Sequence, residues 1–115
     1  MLGRKNRFHG YNSVLPVYRQ AQVVRAEGCS LHYKLNPRRK NYRLSVVVSK
    51  KVAKSAVQRN RIRRRVYAIV RQSVSIDQSY DLIISIFDAD FATLEHDKLQ
   101  KNITDLFIKS HITSQ

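Results

Sequence analysis

The sequence predicts a small α/β (α+β) sandwich, in the order helix, strand, strand, helix, strand, helix around a central mixed sheet of three to four strands. Residues 42–49 and 80–87 are mostly apolar, which is typical of strands covered on both faces. A helical segment joins them, so we expect them to be parallel neighbours. At 115 residues and 43% hydrophobic composition, the chain can build one core. We therefore expect a single domain over residues 1–115, with residues 1–10 as a flexible basic tail.

The first predicted element is a helix from Ser13 to about Glu27. Apolar residues recur at helical spacing along this segment, and Ser13 is a suitable cap. Pro16 then falls in the first turn, where its missing N–H has no helical partner in any case. Gly28 follows as the expected stop.

A β-hairpin is predicted next. Residues 29–35 alternate loosely between apolar and polar and indicate a strand, while residues 36–41 are polar and basic. Because residues 42–49 form the following apolar strand, the pattern predicts a hairpin with a basic tip.

The second half of the chain is predicted to alternate helix and strand. A helix is expected from about Ser55 to Ser73, a buried strand from Tyr80 to Phe87, and a final amphipathic helix that contains Leu94 and Phe107. We find no repeat, low-complexity tract or linker.

The charge is divided unequally along the chain. Nineteen of the 22 Lys and Arg residues precede Asp77, with Glu27 as the only acidic residue among them, whereas the remainder carries three basic and seven acidic residues. Five arginines lie between Arg59 and Arg65. This distribution favours a polyanionic partner.

On a helical wheel, the central helix has an apolar stripe toward the sheet and a basic outward side. The stripe contains Ile62, Val66, Ile69 and Val70. The outward side and its flanks contain Asn60, Arg61, Arg63, Arg64, Arg65, Tyr67 and Arg71.

Folded RNA is the polyanion that these arginines favour. No acidic residue lies between Gly28 and Ile76 to neutralise them, and the guanidinium fork suits phosphates and bases. A membrane surface is disfavoured because the apolar stripe is needed for the core. A helix in the DNA major groove is disfavoured because the arginines surround the helix. Composition leaves open a structural RNA-binding protein, such as a ribosomal protein.

Residues 44–64 resemble the signature of the protein subunit of bacterial ribonuclease P. Members of that family carry a Ser-Lys-Lys segment just before a helix that contains Arg-Asn-Arg. This chain has the same two segments at the same separation, as Ser49-Lys50-Lys51 and Arg59-Asn60-Arg61. Asn6-Arg7-Phe8, Tyr80-Asp81 and the total length also fit. The resemblance covers nearly the whole chain.

This resemblance implies a ribonucleoprotein endoribonuclease that removes the 5′ leader from precursor tRNA. The RNA subunit would perform catalysis with Mg²⁺ that it mainly binds itself, and the protein would assist by binding that RNA and the leader. It also implies a left-handed βαβ crossover, against the usual preference. The expected partners are therefore the catalytic RNA and precursor tRNA, with neither a membrane nor an obligate protein partner.

The resemblance also assigns two sets of binding residues. Those expected to face the catalytic RNA are Lys50, Lys51, Arg59, Asn60, Arg61, Arg64 and Arg65. Those expected to line or border a leader cleft between the first helix and the sheet are Val14, Tyr18, Tyr33, Arg63 and Tyr67. For Tyr18 and Tyr33, ordinary core packing is the alternative. The chain departs from the family pattern at Val14, Arg65, Tyr67 and residues 87–90.

Catalysis by protein side chains is not expected. Asp88 and Asp90 follow a strand, where Asp commonly caps a helix, and the four histidines show no ligand spacing. We expect no metal site on the protein. Cys29, the only cysteine, is expected to be a buried apolar residue. The absence of a long apolar segment predicts a cytoplasmic protein.

Overall fold

The computed structural model describes residues 11–112, with side chains from residue 16 onward. Three α-helices, four strands and one 3-10 turn make up these residues. The helices are α1 (Tyr11–Gln20), α2 (Ala56–Ser73) and α3 (His96–Lys109), and the strands are β1 (Gln22–Ala26), β2 (Cys29–Leu35), β3 (Arg43–Val48) and β4 (Tyr80–Ile86); the 3-10 turn is Ala89–Ala92. None of the helices is long and apolar enough to cross a membrane.

The four strands form one mixed sheet in the order β1-β2-β4-β3. β4 pairs in parallel with β3 and antiparallel with β2. Its residues from Asp81 to Ile86 are all buried, as expected for a central strand covered on both faces. The predicted α/β sandwich and the parallel pairing of residues 42–49 with 80–87 are confirmed.

The two faces of the sheet are covered by different helices. Leu82, Ile84 and Ile86 of β4 lie in the main core with α2 and α3. Ile83, which points to the other face because side chains alternate along a strand, packs against Val17 of α1. We refer to the side on which α1 packs as the α1 face.

The prediction of one helix from Ser13 to Glu27 is wrong in its second half. α1 ends at Gln20, and Gln22–Ala26 form β1. The β-branched pair Val23 and Val24 suits a strand, whereas Val24 also continues the helical spacing of Val17 and Ala21. Because α1 begins at Tyr11, Pro16 lies inside the helix rather than in its first turn.

Gly28 therefore turns a hairpin instead of stopping a helix. β1 and β2 pair antiparallel from Ala26 and Cys29 outward, which leaves a two-residue loop. Gly28 has φ of 75°, a conformation that disfavours other residues. An added Cβ would lie 2.9 Å from a ring carbon of Phe91, so glycine is required here.

The predicted hairpin of residues 29–35 with 42–49 is also wrong. β4 lies between β2 and β3, which are the strands that residues 36–41 connect. The physical reason is burial: β4 is buried on both faces, and such a strand is most stable at the centre of the sheet. The connection from β3 through α2 to β4 joins parallel strands, and its left-handed sense stays a prediction.

Candidate RNA interface

The segment that leads into α2 is held by two local devices. The Ser55 hydroxyl accepts a hydrogen bond from the backbone N–H of Gln58 at 3.3 Å and so caps the helix. The Arg59 guanidinium donates to the carbonyls of Ala53 at 2.8 Å and Lys54 at 2.9 Å. Arg59, predicted to bind RNA, thus also fixes the preceding loop against the helix.

Exposed cations lie along this loop and the outward side of α2. Within the described part of the chain they form no ion pair, so their charge is available to an external anion. Asn60 is exposed beside them. We call this surface the basic face; its cations are Lys50, Lys51, Lys54, Arg61 and Arg64.

Arg65, in contrast, is directed into the protein. Its guanidinium donates to the carbonyl of Phe91 at 2.7 Å and to that of Leu94, and so joins α2 to the segment between β4 and α3. Burial, and secondarily the positive charge of Arg61, lowers the pKa of Arg65. The structure therefore does not bring Arg65 into the basic face, because its donors are used internally.

The prediction that Tyr67 faces outward is wrong. Its side chain is buried in the main core, and its hydroxyl accepts a hydrogen bond from the backbone N–H of Val46 at 3.2 Å and approaches the carbonyl of Leu44 at 3.5 Å. The buried part of α2 is wider than the predicted stripe because Tyr67 packs toward β3. A buried side chain cannot stack on a leader base, so the structure does not support that role.

Arg63 is half-buried and lies beside the basic face. It donates a hydrogen bond to the side-chain carbonyl of Asn60, one turn earlier on α2. The two residues were assigned to different binding sets, yet the structure couples them. The described contacts connect neither residue to α1.

Tyr18 meets the sheet on the α1 face. Its ring stacks on the imidazole of His32 of β2, with centroids 4.0 Å apart and planes inclined by 24°. Tyr18 is 39% exposed, so one edge of the stack is open to solvent. Sequence reasoning missed His32, although the alternation of Cys29 and Leu31 toward the core indicates that His32 points to the opposite face.

Polar side chains continue along the α1 face beside this stack. Ser30 and Ser85 are paired across β2 and β4 and are 1% and 4% exposed. Their hydroxyls and the Nδ1 atom of His32 are buried and, within the described residues, have no hydrogen-bond partner. Buried groups of this kind usually bind a protein group, water or ligand. Burial, followed by the charge of Arg25, lowers the pKa of His32.

Two residues predicted for the leader cleft are not brought together with Tyr18. Tyr33 shares the core side of β2 with Leu31 and packs against the main core, so the sheet separates it from the α1 face. Its ring contacts Tyr80 edge to face at 6.3 Å. Val14 belongs to α1, but its side chain lies outside the described residues.

The acidic residues do not assemble a metal site within the described part of the chain. No three His, Cys, Asp or Glu side chains there are close enough to hold an ion. Asp88 caps the 3-10 turn by accepting from the N–H of Asp90 at 2.9 Å, as predicted. Cys29 is 2% exposed, and burial raises the pKa of its thiol to about 12, which makes it unreactive.

Comparison with known proteins identifies the family. The family model described as Ribonuclease P matches residues 2–111. The chain belongs to the ribonuclease P protein family. A related sequence, the ribonuclease P protein component of Pseudanabaena sp. (strain PCC 6903), is 37% identical over 75 residues. That match spans 65% of this chain and 65% of the relative's length.

Solved ribonuclease P proteins have the same fold. A Staphylococcus aureus RNase P protein structure superimposes with a TM-score of 0.81 at 18% identity, over 94% of this chain and 97% of that one. The Thermotoga maritima RNase P protein gives a TM-score of 0.78 at 18% identity, over 90% and 96% of the two chains. The fold of the family is therefore retained although most residues differ.

Proposed function

We propose that this protein is the protein subunit of a ribonuclease P that removes the 5′ leader of precursor tRNA. The observation that carries the proposal is the basic face. It contains Lys50 and Lys51 from the loop before α2, and Arg61 from the family's Arg59-Asn60-Arg61 motif. Its exposed cations have no carboxylate partners among the described residues. Because the chain belongs to the ribonuclease P protein family, the catalytic RNA is the polyanion that we expect this face to bind.

The basic face would bind the RNA subunit through phosphates. Arg61 and Arg64 project from a helix whose other side is buried in the core, so the spacing of the charges is rigid. Preorganised guanidinium groups lose less conformational entropy when they bind. Each phosphate that they neutralise releases counterions, so complex formation should weaken steeply with salt.

The leader would lie on the α1 face. Single-stranded RNA is typically bound by aromatic side chains that stack on bases and by polar groups that contact their edges. Tyr18 and His32 provide stacking surfaces, and the hydroxyls of Ser30 and Ser85 provide buried hydrogen-bonding groups. The family resemblance assigned Tyr33 to the leader cleft, but His32 is the β2 residue that lies beside Tyr18 on the α1 face.

Catalysis is assigned to the RNA subunit and its Mg²⁺. The described protein residues offer no cluster of three ligands to a metal ion, so the polypeptide would contribute binding and orientation. Positioning of this kind can lower a reaction barrier substantially by reducing its entropic cost.

Reconstitution with the cognate catalytic RNA tests the proposal. At low Mg²⁺, the protein should increase the rate of 5′ leader removal from precursor tRNA, and the Arg61→Gln, Arg64→Gln double variant should require more protein for the same rate. Lys98→Gln, Lys101→Gln removes two exposed charges from α3 and serves as the control. A lack of stimulation together with tight binding to ribosomal RNA would instead indicate a structural RNA-binding protein.

A further inference from the structure

A small cavity opens where β2 and β4 meet at the end of the sheet that carries the loop of residues 36–41. Its volume is about 260 Å³, and it is lined by Gln20, Gln22, Tyr33, Lys34, Leu35 and Tyr80. It is below the roughly 300–1,000 Å³ of sites for drug-sized ligands, so it suits a smaller planar group. The half-buried rings of Tyr33 and Tyr80 offer aromatic surface, and the two glutamines offer amide donors and acceptors.

The loop beside the cavity, residues 36–41, is both basic and ordered. The N–H of Asn36 donates to the carbonyl of Ser79 at 2.8 Å, and the Ser79 hydroxyl donates to the carbonyl of Asn36 at 2.8 Å. The Asn36 amide in turn donates to Asp81 at 3.0 Å. Since Leu35 and Tyr80 line the cavity and adjoin this anchor in the chain, the loop is fixed at the edge of the cavity.

Positive charge predominates around this cavity. Arg38 and Lys40 are exposed on the loop, Lys34 lies at the lining, and residues 28–76 contain no acidic residue. The nearest carboxylate in the loop's hydrogen-bond network is Asp81, which is paired with Arg43 at 2.6 Å. A second cavity, along α3, is lined by Glu27, Asp88 and Asp105 together with lysines, so it is far less suited to RNA.

The cavity lies closer to the proposed leader site on the α1 face than to the basic face. β3 separates the loop of residues 36–41 from the loop of residues 49–55, so the two basic loops lie at opposite ends of the strand. Lys34, in contrast, lies two residues beyond His32 on β2, about 7 Å along an extended strand. Its ammonium group donates to Gln20 at the end of α1, and both residues line the cavity. Because the pairing of β1 with β2 begins at Gln22 and Tyr33, the cavity lies beyond the start of β1 and extends from the side of the sheet that carries Tyr33 to the end of α1.

From these observations we infer that the cavity is an additional subsite for a leader nucleotide, beyond the stretch bound at Tyr18 and His32. The base would enter between the amides of Gln20 and Gln22 and the rings of Tyr33 and Tyr80. Its phosphate would contact Arg38 or Lys40. This inference rests on the proposed function, because it requires that precursor tRNA is the substrate.

The test uses the reconstituted holoenzyme and precursor tRNAs whose leaders lengthen by single nucleotides. For the wild type, affinity should rise in a step of about fivefold or more when the leader reaches the cavity, as expected for one stacked base. Tyr80→Leu should remove that step. Arg38→Gln, Lys40→Gln keeps the rings, and it should reduce the step and lower the salt slope for the longer leader by about 0.7 per lost phosphate contact.

Two controls distinguish the possible failures. The Lys98→Gln, Lys101→Gln variant should retain the full step, and binding of the catalytic RNA should be unchanged in every cavity variant. A wild-type step that persists in Tyr80→Leu and in the loop variant would overturn the subsite, as would cavity variants that weaken only the catalytic RNA. If the wild type neither stimulates cleavage nor responds to the leader at any length, the proposed function itself fails.

Discussion

The hydroxyl of Tyr67 accepts a hydrogen bond from the backbone N–H of Val46 at 3.2 Å. Val46 belongs to β3, which lies at one edge of the sheet, where backbone groups lack a neighbouring strand. α2 therefore supplies a side-chain partner to this edge strand. The bond joins the buried side of α2 to this edge strand.

Replacing Tyr67 by phenylalanine tests this relationship. Tyr67→Phe keeps the ring in the core and removes the hydroxyl, so the free energy of unfolding should fall by about 1 kcal/mol. Urea unfolding followed by circular dichroism measures the change. Affinity for the catalytic RNA should remain near that of the wild type; an equally stable variant with weakened RNA binding would indicate that the tyrosine contacts RNA.

Two neighbouring arginines on α2 should have different roles: Arg65 should contribute to the stability of the protein, and Arg64 to RNA binding. Arg65→Gln removes donors to two internal carbonyls, and we expect a loss of about 1–3 kcal/mol in the free energy of unfolding. Arg64→Gln should leave stability nearly unchanged and lower the salt slope of RNA binding by about one unit. Urea unfolding measures the stability of the two variants, and filter binding at several salt concentrations measures their affinity for the catalytic RNA. The reverse pattern would contradict the internal position of Arg65.

The carboxylate of Asp81 is a further target for substitution. It is 3% exposed and accepts hydrogen bonds from Arg43 and from Asn36. Asp81→Ala removes a buried acceptor that Arg43 and Asn36 share, so we expect a loss of about 3 kcal/mol in the free energy of unfolding. Asp77→Ala, at an exposed position, is the matched control. Equal stability of the two variants would show that the Arg43 contact contributes little.

His32 should make stability depend on pH. Its pKa is lowered from 6.5 in the folded protein, so the unfolded chain binds a proton at a higher pH than the folded chain does. Stability contributed by the neutral imidazole is therefore complete above about pH 6.5 and is lost as the pH falls toward the folded pKa. We expect wild type to lose more stability than His32→Phe between pH 7.5 and 5.5, as measured by urea unfolding. Parallel losses would contradict this.

The sequence predicts the arrangement of the sheet's interior better than its margins. Residues 80–87 are mostly apolar, and this pattern correctly places them beside residues 42–49. β1 was missed because Val24 continues the helical spacing of Val17 and Ala21, although valine also favours strands. The position of β4 between β2 and β3 depends on long-range burial, and local turn signals at residues 36–41 do not report it.

The candidate sites were predicted unevenly for similar reasons. Exposure of Arg61 and Arg64 follows from helical periodicity, and the absence of nearby acids predicts that their charge is not neutralised. The internal bonds of Arg65 to residues 91 and 94 join segments far apart in the chain, and no local pattern indicates them. His32 was open to prediction, because residues of β2 alternate between the core and the α1 face. The family resemblance assigned Tyr33 to the leader cleft instead.

The division of RNA binding between two faces can be measured in the reconstituted holoenzyme through its affinities for precursor and mature tRNA. With Tyr18→Ala, we expect the preference for precursor over mature tRNA to fall by about fivefold or more, as one lost stacked base predicts, while assembly with the catalytic RNA stays unchanged. Arg61→Gln, Arg64→Gln should weaken assembly and leave the preference intact once the RNA is saturated. If both variants impair the same step, the basic face and the α1 face do not bind different RNAs.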